Sequence, residues 1–345
     1  MARFRILVPD AKFDDDGVIE RRLSGDDYDW TICRAKTMDQ LPAEVLDSCD
    51  GIVTWHVLRF DPALVARLQR CRIIVRAGVG YDHIDLDSTA AAGIAVSNTP
   101  DYGTMEVADH ALAMALVLSR GLLRYHTELL ADPKGAFNSA ASMGQRRLTG
   151  QTFAVLGIGR IGTAAALRAK AFGFRVVCYD PYVSRGVERA LGIERVESLD
   201  ELLAQADVLS LHAPLTANTR NILGADALKK IKPGAVLVNT ARGGLTDPEA
   251  VLEALHDGRL AAAGLDVFPQ EPIDPETPWY KTWVEQPAWL RGRLLLSPHT
   301  AWLSDESRQD ARSKAVETLM AFLERGELRN CVNGMTAAAV RSNLS

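Results

Sequence analysis

The stretch Thr152-Phe-Ala-Val-Leu-Gly157-Ile-Gly159-Arg160-Ile161-Gly162, continued by Thr163-Ala-Ala-Ala-Leu-Arg-Ala-Lys-Ala171, decides the reading of this chain. Apolar Phe153 to Leu156 predict a buried strand, and the Ala-rich run behind the glycines predicts a helix. Between them the glycines are spaced G-x-G-x-x-G. Gly157 permits a tight turn, Gly159 lets backbone approach a pyrophosphate, and Gly162 lets helix and strand pack closely. The amides and positive dipole end of the helix then face the phosphates. The next strand, Arg175-Val-Val-Cys-Tyr-Asp180, ends in an acid 18 residues after Gly162, where a ribose-binding carboxylate belongs. Together these features predict a dinucleotide site. The competing reading is a glycine-rich turn in an unrelated α/β unit.

On either side of this stretch, strands alternate with helices. Arg5–Pro9, Tyr28–Cys33, Gly51–Trp55 and Arg72–Arg76 read as strands, with a helical pattern at Met38–Cys49. Such alternation implies a mostly parallel sheet, with ligands beyond the strands' carboxyl ends, here around Trp55-His56 and Arg76–Tyr81. A long apolar helix is expected from Thr104 to roughly Leu123, buried between two domains; His110 and His126, on or beside it, read as structural. Residues 131–148 read as an irregular surface loop. Farther on, Ser198–Ala206 reads as a helix with Ser198 and Glu201 in capping-box spacing. Strands follow at Asp207–His212, Ala235–Asn239 and Leu260–Val267. Leu294-Leu-Leu-Ser-Pro-His299 leads into an amphipathic helix at about Ser304–Arg325, and residues 335–345 are expected to be poorly ordered.

Composition narrows the class. The chain has 345 residues, 47% hydrophobic and 24% charged, with net charge −5. That length has room for two cores, and the charge argues against nucleic acid as a partner. The five cysteines (33, 49, 71, 178 and 331) show no C-x-x-C spacing, so neither zinc nor a disulfide framework is expected. No stretch suits a bilayer span and the start carries no leader-like apolar core, so a reduced, cytoplasmic protein is expected.

In the second half, strand ends present Arg242, Glu271 and His299. Chemistry beside a nicotinamide needs a group that moves a hydroxyl proton while hydride travels. A histidine suits that, and a carboxylate on its second nitrogen orients the ring and favours its charged form. An arginine can grip a substrate carboxylate at two points and polarise the neighbouring carbonyl. Singly, each has a plainer reading, as a surface ion pair, a loop acid before proline and a structural ring.

Several motifs carry a resemblance. Gly157-Ile-Gly-Arg-Ile-Gly162, Val238-Asn-Thr-Ala-Arg-Gly-Gly-Leu245, Gly264-Leu-Asp-Val267 with Gln270-Glu271-Pro272, and Ser297-Pro-His-Thr-Ala-Trp302 resemble the D-isomer-specific 2-hydroxyacid dehydrogenase family. Arg76–Asp85 and Asn98–Asp109 match too, so the resemblance covers nearly the whole chain. Within the family, Ala169–Phe174, Tyr179–Tyr182, Gly186–Gly192 and His299–Ser304 look closest to the C-terminal-binding-protein branch.

The resemblance implies an α/β protein of two Rossmann-like domains, parallel sheets flanked by helices, with an interdomain active-site cleft. The expected division is a flavodoxin-like substrate-binding domain of residues 1–103 plus 300–345, and an NAD-binding domain of residues 104–299. It implies NAD as cofactor, a small 2-oxo or 2-hydroxy acid as substrate, and a homodimer. His299 is the implied acid/base, Glu271 its partner and Arg242 the substrate clamp. The implied cofactor set is Gly157, Gly159, Arg160, Ile161, Gly162, Asp180 on the ribose, His212, Ala213, Pro214, Thr219, Thr240, Ala241, and Asp266 near the carboxamide. The implied substrate set is Trp55, His56, Arg76, Trp302 and the amides of Gly78, Val79 and Gly80. Trp302 could instead be packing, His56 a loop residue and Arg76 an ion-pair partner. Since the same branch includes co-repressors, an NAD(H)-sensing binding protein with little turnover is the alternative. Arg185 near Asp180 bears on tolerance of NADP. One departure stands out: 27 residues separate Glu271 from His299, including Trp279, Trp283 and Trp289. Such an insertion could cover the cleft, pack on a partner subunit or fill a surface groove. The absence of an appended regulatory domain weakens a reading as the serine-controlled phosphoglycerate dehydrogenase.

Overall fold

The computed structural model describes residues 3–139 and 145–341. The chain divides into two compact units, Met1–Gly103 with Leu303–Ser345, and Thr104–Trp302. The first unit begins with strands β1 (Phe4–Val8), β2 (Tyr28–Ile32), β3 (Gly51–Thr54), β4 (Ile73–Arg76) and β5 (Ala95–Asn98). Its helices are α1 (Val18–Ser24), α2 (Ala43–Ser48), α3 (Pro62–Arg67) and α4 (Leu86–Ala91). All pairings are parallel, in the order β2-β1-β3-β4-β5. The helix expected over Met38–Cys49 is split: a 3₁₀ turn at Met38–Gln40 precedes α2, because Pro42 cannot continue a helix.

The second unit opens with α5 (Thr104–Ser119), α6 (Leu122–Ala131) and α7 (Gly135–Ser139). The helix expected to reach Leu123 ends sooner because Gly121 takes φ +66°, a left-handed turn from which α6 restarts. The irregular loop expected at 131–148 is interrupted by α7, which starts where Asp132 accepts the Gly135 amide; 140–144 lie outside the described residues. Strands β6 (Thr152–Leu156), β7 (Arg175–Tyr179), β8 (Glu194–Arg195), β9 (Val208–Leu211), β10 (Ala235–Asn239), β11 (Leu260–Leu265) and β12 (Leu294–Leu296) form one sheet. Its order, β12-β11-β10-β9-β6-β7-β8, is parallel throughout and reverses direction between β6 and β9. Helices α8 (Arg160–Ala171), α9 (Val187–Leu191), α10 (Leu199–Gln205), α11 (Ala225–Leu228), α12 (Pro248–His256) and α13 (Pro278–Glu285) make up the rest. Ser198 caps α10 through the Glu201 amide, but Glu201 returns to the Glu197 amide, so the expected reciprocal box is half formed.

Two-residue periodicity explains why β6 reads as a solid apolar run. Phe153 and Val155 enter one core with Ala111, Ala115 and Leu118 of α5, while Ala154 and Leu156 enter another with Leu202, Leu209 and Leu237. Helix α5 therefore spends its apolar face inside the second unit. The chain returns to the first unit as α14 (Asp305–Arg325), capped reciprocally by Ser304 and Ser307. Its Arg312 guanidinium forks onto Asp15 at 2.8 Å and reaches Glu20 of α1, fastening the returning helix. In the tail, Arg341 donates to the carbonyl of Cys71 at 2.8 Å, and residues 342–345 lie outside the described ones.

Candidate active site

Strand register assembles the second unit's site. Asn239 of β10 pairs with Leu265 of β11, which pairs with Leu296 of β12. The residues that follow, Thr240–Arg242, Asp266 and Ser297–His299, therefore emerge side by side. Gly243 lets the Arg242 loop lie directly on the Phe268 backbone; a Cβ there would collide with it.

His299 and Glu271 meet: Nδ1 is 2.6 Å from Oε2. The other carboxylate oxygen accepts the Phe268 amide at 2.8 Å, so Glu271 is oriented from both sides. The pair remains reachable, with side chains 27% and 29% exposed. His299 has φ +53°, a left-handed conformation that costs a side-chain-bearing residue about 1–2 kcal/mol. Asp266 holds it there. Its backbone oxygen accepts the His299 amide at 2.8 Å, and its fully buried carboxylate accepts from Ser297 Oγ (2.5 Å), Thr300 N–H (2.9 Å) and Ala301 N–H (3.0 Å). The Trp302 indole donates to the His299 carbonyl at 3.1 Å. Arg242 is half-buried, donates to its neighbour Ala241 O at 2.6 Å, and has its own carbonyl held by Asn239.

The insertion between Glu271 and His299 folds onto this unit. Trp279 is buried and stacks on Phe268 at 5.6 Å, Tyr280 and Trp283 continue the cluster, and Trp289 packs edge-on to His256. All of these contacts lie within the second unit.

At the β6–β9 reversal, the glycine turn fits a dinucleotide diphosphate. Gly157 has φ +92°, and a Cβ on Gly162 would strike the Gly157 carbonyl. A Cβ on Gly159, by contrast, would meet nothing within 4 Å, leaving room in front of the first-turn amides of Arg160 and Ile161. Asp180 accepts from Ile158 N–H (2.9 Å) with one oxygen and from Tyr182 and Val183 N–H with the other. Thr219 braces the Pro214 turn, donating to Pro214 O at 2.6 Å, and Ala213 packs against the Gly157 turn. At neighbouring strand ends, Thr240 Oγ1 and His212 Nδ1 are buried without a hydrogen-bond partner among the described residues. Buried polar atoms of this kind call for a ligand or solvent group. Ser210 holds the other His212 nitrogen at 2.8 Å, and burial pushes that imidazole down to about 4. Arg185 is engaged by Glu197 at 2.9 Å.

The first unit has its own loops at the strand ends. Asp10, buried, accepts from Thr54 Oγ1 (2.9 Å) and from the amides of Trp55 (2.8 Å), Val57 (2.9 Å) and Leu58 (3.2 Å). Trp55 is 2% exposed and packs edge-on to Phe13; His56 follows on the half-buried part of the loop. The Arg76 side chain is buried and spans its own loop, donating to Gly80 O at 2.9 Å and to Ala77 O. The Gly78 amide donates to Arg76 O at 2.8 Å, whereas those of Val79 and Gly80 have no acceptor among the described residues. Among the described residues there is no cluster of three metal-ligating side chains, and no helix is long and apolar enough to cross a membrane.

Ser297, Phe268 and Asp10 had no role in the sequence reading. Ser297 alone carried a signal, its place two residues before His299 in a recognised motif.

Two parallel α/β units, a glycine turn at the sheet reversal and a histidine–carboxylate pair make up the architecture of a nucleotide-binding α/β protein. The family model described as "D-isomer specific 2-hydroxyacid dehydrogenase, NAD binding domain" matches residues 112–301. A glyoxylate reductase of Korarchaeum cryptofilum is 37% identical over 294 residues, 84% of each chain. A D-3-phosphoglycerate dehydrogenase of Methanocaldococcus jannaschii is 34% identical over 298 residues, 86% of this chain but 54% of the relative, so this chain spans about half of that protein. The crystal structure of a D-lactate dehydrogenase from Aquifex aeolicus, complexed with NAD and lactic acid, superposes with TM-score 0.80 at 29% identity, covering 96% of this chain and all of the other. The chain belongs to the D-isomer-specific 2-hydroxyacid dehydrogenase family and carries its NAD-binding domain.

Proposed function

We propose that this protein interconverts a D-2-hydroxy acid and its 2-oxo acid with NAD(H), and that glyoxylate is the first substrate to try. The 2.6 Å His299–Glu271 pair carries the reading. Bound NADH would supply the hydride that reaches C2 of the oxo acid. With Nδ1 committed to Glu271, His299 Nε2 is the atom that gives its proton to the substrate oxygen. Glu271 stabilises the imidazolium before that transfer and fixes the ring's direction. Arg242 holds the substrate carboxylate and draws electron density from the adjacent carbonyl. In the first unit, the uncommitted amides of Val79 and Gly80 suit a carboxylate, with Arg76 shaping their loop. Trp55, His56 and Trp302 complete the proposed substrate set.

In the cofactor, the diphosphate is assigned to Gly159–Gly162 and the nicotinamide end to Thr240, Ala241 and Asp266. Asp180 favours NAD, since its charge repels a 2′-phosphate and Arg185 is engaged elsewhere. Comparing KM for NADH and NADPH in wild type and Asp180→Ala tests this; a wild-type preference for NADPH contradicts it. A homodimer is proposed on the exposed apolar side chains Leu122, Leu129, Leu130 and Phe137 along α6 and α7, and light scattering tests it.

The activity itself is tested by loss of NADH absorbance against glyoxylate, hydroxypyruvate, pyruvate, phenylpyruvate, 4-methylthio-2-oxobutyrate and 2-oxoglutarate. A substrate with kcat/KM above about 10⁴ M⁻¹s⁻¹ is expected. Tight NADH binding with feeble turnover on all of them would turn the account toward a sensor.

A further inference from the structure

We infer that His110 is a positioning residue for the His299 turn, acting through Ser297 and Asp266; this rests on His299 being the acid/base group. His110 lies on α5, and its Nε2 is 3.1 Å from Ser297 Oγ, which is 2.5 Å from Asp266 Oδ1. Counting protons gives the direction of both bonds. Asp266 is met by a hydroxyl and two backbone amides, all able to donate, as an ionised carboxylate requires. Ser297 has one hydroxyl proton, and the shorter bond shows it given to Asp266. Its oxygen therefore accepts from His110, so His110 carries its proton on Nε2. The ring sits within 3.9 Å of the Asp266 carboxylate, the same side of which bears the serine bond.

This places a donor behind the left-handed turn of the site. His299 is left-handed at φ +53°, bracketed by Ser297 before it and Thr300 and Ala301 after it, all three held by one buried carboxylate. A strained residue persists only where its surroundings over-determine it. Among the described residues, His110 is the side chain that orients Ser297 from the far side, and so decides where the Ser297 proton points. It touches none of the proposed reacting atoms, so its loss should act on the fraction of correctly aimed His299 rings. That is a kcat effect. The helix reading of His110 as merely structural had no way to see Ser297, 187 residues away.

The test uses His110→Phe, which keeps a flat ring without the donor, and His110→Gln, whose amide can still donate. Expected for His110→Phe is a kcat about tenfold lower, with the 2-oxo acid KM unchanged within about twofold, as one lost half-buried hydrogen bond implies. His110→Gln should recover most of the loss. Ser297→Ala should match His110→Phe, and the double variant should be little worse than either, because the two act as one unit. Nitrogen-15 NMR of histidine-labelled protein should show His110 protonated on Nε2. A native kcat in His110→Phe, additive losses in the double variant, or an Nδ1-protonated tautomer would each overturn the inference. The NMR arm does not depend on turnover, and a fully active His299→Ala would separately remove the acid/base reading.

Discussion

Both sheets end in a buried aspartate that gathers the next strand's loop, Asp10 in the first unit and Asp266 in the second. Each accepts one hydroxyl and two or three backbone amides from a neighbouring strand's end: Thr54, Trp55, Val57 and Leu58 for Asp10, and Ser297, Thr300 and Ala301 for Asp266. Neither needs a cation, because backbone donors satisfy the carboxylate. What the loops carry differs. The Asp10 loop seats a buried tryptophan against Phe13, whereas the Asp266 loop forces a reachable histidine into a left-handed turn against Glu271. The same device thus holds a buried tryptophan in one unit and a reachable, ionisable ring in the other.

Within the second unit, the largest loss short of removing His299 is expected from Arg242→Ala. It should lower kcat and raise KM together, by roughly 10²-fold in kcat/KM, as loss of a charged hydrogen-bond pair implies. Steady-state kinetics on the best 2-oxo acid would show it, and a change confined to KM would assign Arg242 to binding alone. Replacing the two aspartates breaks the comparison directly. Asp266→Ala should lower kcat roughly tenfold or more. Asp10→Ala should act mainly through KM, with roughly 2–4 kcal/mol of unfolding free energy lost from stranded amides. Identical kinetic signatures would show that the two loops do the same work.

A smaller effect concerns His212, whose imidazole burial pushes down to about 4. Neutral in the fold, it takes up a proton on unfolding once pH falls below the ordinary histidine value near 6.5. Stability from this group is whole above that value and is lost as pH falls through about 4. Denaturation midpoints followed across that range should fall less steeply in His212→Gln; parallel curves would place the proton uptake elsewhere. Smallest is Trp279→Leu, which removes the stack beneath Phe268 and loosens the amide on Glu271. A kcat reduction of about two- to fivefold is expected, in keeping with aromatic pairs worth about 0.5–1.5 kcal/mol.

The sequence made some of this legible and not the rest, for physical reasons. Period-two apolar runs and glycine punctuation are local, so β6 could be read within a residue and α8 to its last one, although α8 starts at Arg160, three residues before the Ala-rich run. Helix ends were less secure: Gly121 and Pro42 each broke an expected helix because one residue's backbone preference overrode an apolar pattern. The pairing of Glu271 with His299 was recoverable from strand ends and motif likeness. The Asp10 and Asp266 clamps were not, since their partners lie 44 and 31 or more residues away and involve backbone amides that no side-chain pattern marks. The tryptophans of the insertion had no partner legible in the sequence, because Phe268, on which Trp279 stacks, lies outside the insertion.

The central claim, that the Asp266-held turn aims His299 for proton transfer, is met most directly by one comparison: kcat of His299→Ala against wild type on the best 2-oxo acid. The account predicts a loss of ~10²–10⁴-fold with unfolding stability retained. An unaltered kcat would contradict it.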